Sequence, residues 1–419
     1  MRAEAKHSMV LFLGTGVTAG LSMVYAAFIA RMLGPARNAD YAAAISFVFM
    51  CAVVMGSINP TVARFTAEYK GRGEYGRILT LTREVGRRVL LYGAAAMVIG
   101  LLVVKPLAEF FRFHSVLPLV IAFFIVYFSL PLSVARGVLR GAQEFGKLNV
   151  NGILEAAFRL AIGAVLVTWV ARAATALAAY ALAMAAVLVV SRWQLRRVWV
   201  GHAAQTLDGA AVRRFTGPAL FMIAAAAGFQ NLDMLFVKRF FVDYDAGVYA
   251  AAATFARMIG VVVTPFSILM LPMLTTLHER GERTTGAFLR VCGYFLGLVA
   301  GPLIIVAIWP EEVMVRIFGE EYAGGGRILL SLSLARLAGY LCHLICLLFA
   351  AKSSFRFLFV YLPGLMAMVG GLLIWHDTAL TVAGVVLFTQ IATLLAMIVY
   401  LLVQRGSRAS GSRDASPGA

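Results

Sequence analysis

About twelve stretches of roughly 20 apolar residues each, separated by short polar breaks, run through this sequence almost from end to end. Wound at about 1.5 Å per residue, a stretch of that length crosses a bilayer's hydrocarbon core of about 30 Å. Lipid offers the backbone no hydrogen-bond partners, so each stretch must satisfy its own N–H and C=O groups as a helix. The spans are read at 8–30, 41–65, 88–108, 115–135, 150–171, 173–191, 215–237, 246–275, 287–309, 326–350, 357–375 and 378–402. Composition agrees, because 61% hydrophobic and only 14% charged residues over 419 positions exclude a soluble globular domain. The chain reads as an all-α polytopic membrane protein.

The longest polar break falls after the sixth span. It divides the chain into a six-helix half at 1–191, a basic connector at 192–214, a second six-helix half at 215–405 and a small, polar tail at 406–419 read as disordered. Sliding the sequence by 208 positions lays Tyr41-Ala-Ala-Ala44 on Tyr249-Ala-Ala-Ala252 and Arg31 on Arg239, as an internal repeat of two similar halves would. Prolines inside spans, among them Pro60, Pro131, Pro218, Pro265, Pro272, Pro302 and Pro363, are packing kinks or hinges.

Basic residues gather on one side of the spans, 24 Lys and Arg against 8 on the other, which places both termini in the cytoplasm. The net charge of +17 therefore reports topology, and no basic face or aromatic-interleaved patch points to nucleic acid. The first apolar run is too long for a signal-peptide core and reads as a retained span. Cys51, Cys292, Cys342 and Cys346 all lie in apolar segments and form no disulfide framework. Cys342, His343 and Cys346 lack a fourth metal ligand, and Gly324-Gly-Gly326 lacks the Lys-Ser/Thr of a phosphate loop, so neither a metal site nor an enzyme motif is read.

Charges buried in the spans are the informative anomaly, since an ionisable side chain in hydrocarbon costs about 2.5 kcal/mol or more. Arg159, Arg257 and Arg336 each fall about 15 Å into a span, near the midplane. Two acids are also buried in the spans. Glu155 stands four residues before Arg159, within reach on one helix, and Asp233 is placed to pair with Arg257 across adjacent spans. Two acids against three arginines leave a surplus that implies a hydrated cavity accepting negative charge. Arginine's planar fork suits phosphate in particular. Under the repeat shift Arg257, Arg336 and Asp233 fall opposite Phe49, Phe128 and Tyr25, so these charges break the symmetry.

Three segments carry a family resemblance: Arg31-Met-Leu-Gly-Pro35 followed by Asp40-Tyr-Ala, Arg136-Gly-Val-Leu-Arg-Gly-Ala-Gln-Glu-Phe-Gly-Lys-Leu-Asn149, and Asp245-Ala-Gly-Val-Tyr-Ala-Ala-Ala252. They resemble the Wzx-like oligosaccharide flippases of the polysaccharide transport family, within the multidrug/oligosaccharidyl-lipid/polysaccharide (MOP) exporter superfamily. The resemblance implies two six-helix lobes around a cleft in a MATE-like fold, alternating access, and undecaprenyl-diphosphate-linked glycan as cargo in the bacterial cytoplasmic membrane. It also implies a pathway shared with glycosyltransferases and a polymerase and no cofactor; with no nucleotide-hydrolysis motif in the sequence, any driving energy comes from an ion gradient such as Na+ or H+, the membrane potential or downstream consumption of the product. In some relatives an acid in the seventh helix helps to bind sodium, which would give that role to Asp233 with Asn231. Asp40 stands where the family has glycine, which bears on the outer gate. The competing readings are a cation-coupled multidrug exporter of the same fold and a membrane glycosyltransferase or polymerase. The first needs more acids in the cleft, and the second a larger acidic loop than Glu311–Glu321.

Overall fold

The computed structural model describes residues 2–51, 53–199, 209–279, 282, 284–352 and 354–411, and among them there is no strand. The first helix, α1 (Arg2–Cys51), is broken at Gly34, whose φ of 67° and ψ of 170° are open to glycine and strained for other residues. Pro35 follows without the N–H that continued helix would use. The chain turns there, so the second span starts at residue 35, earlier than the sequence reading of 41, and is completed by α2 (Val53–Gly71).

The first half continues through α3 (Tyr75–Leu102), the short α4 (Val104–Phe110), α5 (Leu117–Gly141), α6 (Phe145–Trp169) and α7 (Ala173–Trp199). The second half comprises α8 (Gly209–Phe240), α9 (Asp243–Arg257) with α10 (Ile259–Glu279), α11 (Thr284–Ile308), α12 (Pro310–Phe318), α13 (Gly326–Ala351), α14 (Leu358–Ile374) and α15 (Ala379–Gly411). A single 3-10 turn, Glu320–Tyr322, precedes α13. Eight of the described helices are long and apolar enough to cross a membrane. The remaining expected spans fall on α2, α8, the α9–α10 pair and α14. Helix extends into the connector from both ends, to Trp199 and from Gly209, and residues 200–208 lie outside the described residues. In the tail, α15 is helical to Gly411, and residues 412–419 lie outside the described residues.

Within the first half, α5 packs on α2, α3 and α7, and α6 on α1 and α7; within the second, α13 packs on α9, α10 and α15. Large apolar side chains such as Trp169, Phe359 and Phe388 are more than 70% exposed, the arrangement of a protein whose solvent is lipid. The halves meet mainly where α1 lies along α8 and α9. The repeat shift of 208 maps residues 35–49 onto 243–257, so α9 packs against its own counterpart. Small residues make that approach close: Ala39, Ala42 and Ala43 share one core cluster with Ala246, Ala250 and Ala253. A methyl group on Gly247 would collide with the Pro35 carbonyl.

Candidate functional site

Between the halves lies a cavity of about 820 Å³, lined by α1, α2, α5, α6 and α7 from one side and α8, α9, α10 and α13 from the other. Its charged lining comprises Arg136, Arg140, Arg159 and Arg257 against a single carboxylate, Glu155, among the described residues. Arg136 and Arg140 belong to the last turns of α5, near the end where the basic loops lie. Away from that end the halves are tied shut. Arg31 donates through Nε to the Ile317 carbonyl at 2.8 Å and through Nη2 to the Arg316 carbonyl, and the Tyr322 hydroxyl donates to the Ala30 carbonyl at 2.7 Å.

Arg159, on α6, is held as a flat cation between two rings. Its guanidinium carbon lies 5.0 Å from the Tyr25 ring centroid and 4.6 Å from that of Tyr180, and Nη2 donates to Ser22 Oγ at 2.6 Å. Stacking of this kind favours the cation without neutralising it, so its charge stays available to a ligand. Arg257, in the last turn of α9, donates from Nη2 to Thr254 Oγ1 at 3.0 Å, while its Nη1 has no partner among the described residues. Arg140 Nε and Arg159 Nε are likewise without one. Buried N–H groups rarely stay unsatisfied, so three such guanidiniums around one cavity are donors in want of an acceptor.

Arg336 has a different place. Its side chain is fully buried outside the cavity lining, with Nη2 2.6 Å from Asp233 Oδ2 and Nη1 donating to the Phe229 carbonyl at 2.5 Å. Asp233 also accepts from the Tyr249 hydroxyl at 2.8 Å. The pairing expected between Asp233 and Arg257 is thus replaced by Asp233 with Arg336, because α8 and α13 pack so that both side chains enter the same dry space. The second expected pair is also exchanged. Glu155 bonds Arg136 at 2.6 Å, not its helix neighbour Arg159, because Arg159 is turned between the tyrosines. Asn151 supports the same arginine, accepting from Arg136 Nε at 3.1 Å and donating to Ser191 Oγ at 2.6 Å. Asn231 lines the cavity, and its amide donates to the Ala227 carbonyl at 3.0 Å.

Arg136 and Arg140 read as flanking charges in the sequence, and their place in the cavity follows only from the packing of α5. The signal that could have found them is their i, i+4 spacing, which puts both on one helix face.

The sequence pattern of a family described as "Polysaccharide biosynthesis protein" matches residues 5–278. No match was found among curated proteins. Among solved structures, an inward-facing multidrug resistance MATE family transporter of the MOP superfamily is similar at a TM-score of 0.77 and 14% identity, covering 98% of this chain and 100% of that one. The lipid II flippase MurJ in an inward closed conformation gives 0.74 and 11%, covering 94% and 87%. A MOP superfamily transporter from Pyrococcus furiosus, described by a reversed polarity of its binding pocket, gives 0.66 and 15%, covering 97% and 96%.

Proposed function

Because the chain belongs to the polysaccharide biosynthesis protein family and has the fold of MOP-superfamily transporters, we propose that it is a flippase moving an undecaprenyl-diphosphate-linked oligosaccharide across the cytoplasmic membrane. One observation carries the reading: four arginines against one carboxylate, already bonded to Arg136, in a cavity between the two halves. A diphosphate matches that surplus. Charge-assisted, bidentate bonds to arginine are among the strongest hydrogen bonds available, about 1.5–3 kcal/mol each.

Arg159 belongs to the first half and Arg257 to the second, so an anion seated between them bridges the halves. Empty, the two guanidiniums repel; bound, they share a ligand. The ligand therefore favours the state in which the halves approach around it, which is the differential affinity that a conformational switch requires. Closure around the headgroup at the basic end, with release of the Arg31 and Tyr322 ties at the other, moves the headgroup across. The glycan occupies the hydrated cavity and the prenyl chain stays in lipid. With the basic loops cytoplasmic, the present conformation faces inward. Arg336, paired with Asp233, is a brace and not a ligand. Glycosyltransferases that build the lipid-linked glycan and a polymerase that consumes it are the partners this role needs.

Reconstitution into liposomes tests the reading. The native protein accelerates transbilayer movement of a fluorescent undecaprenyl-diphosphate sugar, and the Arg159→Gln/Arg257→Gln variant loses that acceleration by tenfold or more. Unchanged flipping by a folded double variant would remove the diphosphate from this cavity. Accumulation of an organic-cation dye in place of lipid movement would favour drug export instead.

A further inference from the structure

At the end away from the basic loops, four side chains form a closed ring. Asp40, on α1, lies with Oδ1 2.7 Å from Lys238 Nζ and Oδ2 3.0 Å from His114 Nδ1. Asp243, at the start of α9, turns Oδ1 to the same Lys238 ammonium and Oδ2 to His114 Nε2 at 3.2 Å. Each carboxylate thus faces the lysine with one oxygen and the imidazole with the other. Other charged groups on these elements point elsewhere: Arg37 donates to the Ala171 carbonyl, Arg239 lies over the Phe110 ring, and Arg112 and Asp245 are exposed.

A neutral imidazole has one N–H and one lone pair, whereas an imidazolium has two N–H donors. With carboxylate oxygens beside both ring nitrogens, a neutral His114 would aim a lone pair at one of them. The ring alternates cation and anion around its whole circuit only when it holds one proton beyond Lys238 and the two carboxylates. We propose that this ring is a proton-binding latch: a proton on His114, drawn from the outer medium, locks the outer closure between the two halves. The inference rests on the alternating-access reading above.

The connectivity makes the proton count in one state and not in the other. Lys238–Asp40 and His114–Asp243 cross between the halves, while Lys238–Asp243 and His114–Asp40 each lie within one half. Parting the halves breaks the two crossing pairs and leaves each half its internal pair. The second carboxylate is near His114 only in the closed state, so the second N–H of an imidazolium has its acceptor there and loses it when the halves part. Closure is then favoured at low pH, where the doubly donating imidazolium is present, and weakens as pH rises. His114 is placed for exchange, with its side chain 61% exposed, whereas that of Lys238 is 0% exposed and fixed between the two carboxylates. Asp40, His114 and Asp243 together would also suit a metal ion, but the Lys238 ammonium already occupies one oxygen of each carboxylate.

Distance measurement between spin labels decides the matter. Cysteines at the exposed Arg172 and Asp377, on different halves, are labelled in a chain whose four native cysteines are replaced by alanine, in lipid nanodiscs. The closed, short-distance population is expected to fall as pH rises from 5 to 8.5, by no more than about tenfold per pH unit for one proton. His114→Gln should lose this dependence, and His114→Lys, permanently charged, should stay closed throughout. Absence of a pH response in the parent, its persistence in His114→Gln, or closure that follows added Zn2+ at fixed pH and not acid overturns the proposal. No lipid-linked sugar is present, so the outcome is independent of the flipping assay and of what the cavity carries.

Discussion

Substituting Asp233 by asparagine removes the carboxylate that faces Arg336 in a space with no exposure for either side chain. The guanidinium keeps the Phe229 carbonyl, 2.5 Å from Nη1, but loses the charge 2.6 Å from Nη2. Breaking a buried pair from one side costs about 3–5 kcal/mol, and the retained carbonyl and near-isosteric amide place this case at the lower limit, about 3 kcal/mol. That is roughly a hundredfold in the folding equilibrium. Replacing both partners, Asp233→Leu with Arg336→Met, removes both charges together with their desolvation, a change that is often neutral or stabilising. The assay pairs thermal unfolding in detergent with binding of undecaprenyl diphosphate followed by native mass spectrometry. The single variant should melt well below the parent, and the double variant should recover both its midpoint and its binding, because neither residue lines the cavity. A double variant that melts like the parent yet binds no diphosphate would refute the reasoning and return Arg336 to the binding surface.

Four further outcomes follow from the same geometry. Arg159→Lys keeps the charge but loses the planar stack between Tyr25 and Tyr180, so diphosphate affinity should drop by about tenfold in the binding assay. Glu155→Gln frees Arg136 and raises the cavity's positive surplus, so affinity should rise, and rise most at low ionic strength. Gly247→Val drives a side chain into the Pro35 carbonyl, and the labelled pair should report a depleted closed state, with overpacking costing about 1–3 kcal/mol. Tyr322→Phe removes one tie worth about 0.5–1.5 kcal/mol and should widen the same distance. Burial pushes the Tyr322 hydroxyl far above the usual tyrosine range, with Glu321 adding to the effect, so this tie keeps its proton and its loss should be the same at pH 5 and pH 8.

The spans were legible because hydrophobic length in lipid leaves one solution for the backbone, whereas the start of the second span, read at 41, falls at the Gly34-Pro35 break, where both residues disfavour helix. Arg159 and Arg257 could be singled out because charge inside an apolar run is rare. Their partners could not. The Glu155–Arg159 spacing offered a local pair, yet Glu155 bonds Arg136, nineteen positions away, and Asp233 bonds Arg336, more than a hundred away. Which acid meets which arginine is set by how helices rotate against one another, and an Ala-rich sequence leaves that rotation unmarked. The ring at the end away from the basic loops was only partly legible: Asp40 stood out against the family pattern, whereas nothing in the sequence marks Lys238, Asp243 and His114 as its neighbours, because separate turns bring them together.

The seam between α1 and α9 has a consequence for how this protein can change over generations. Its facing positions, Ala39, Ala42, Ala43, Ala246, Gly247 and Ala250, are all buried, and nearly every substitution available to them adds atoms where there is no room. Positions such as Phe359 and Phe388 touch lipid and can drift among apolar residues at little cost. A lineage that altered its cargo could therefore rewrite the cavity wall and the lipid face while the seam stayed fixed. Relatives with unrelated cargoes would then share this strip of small residues and little else.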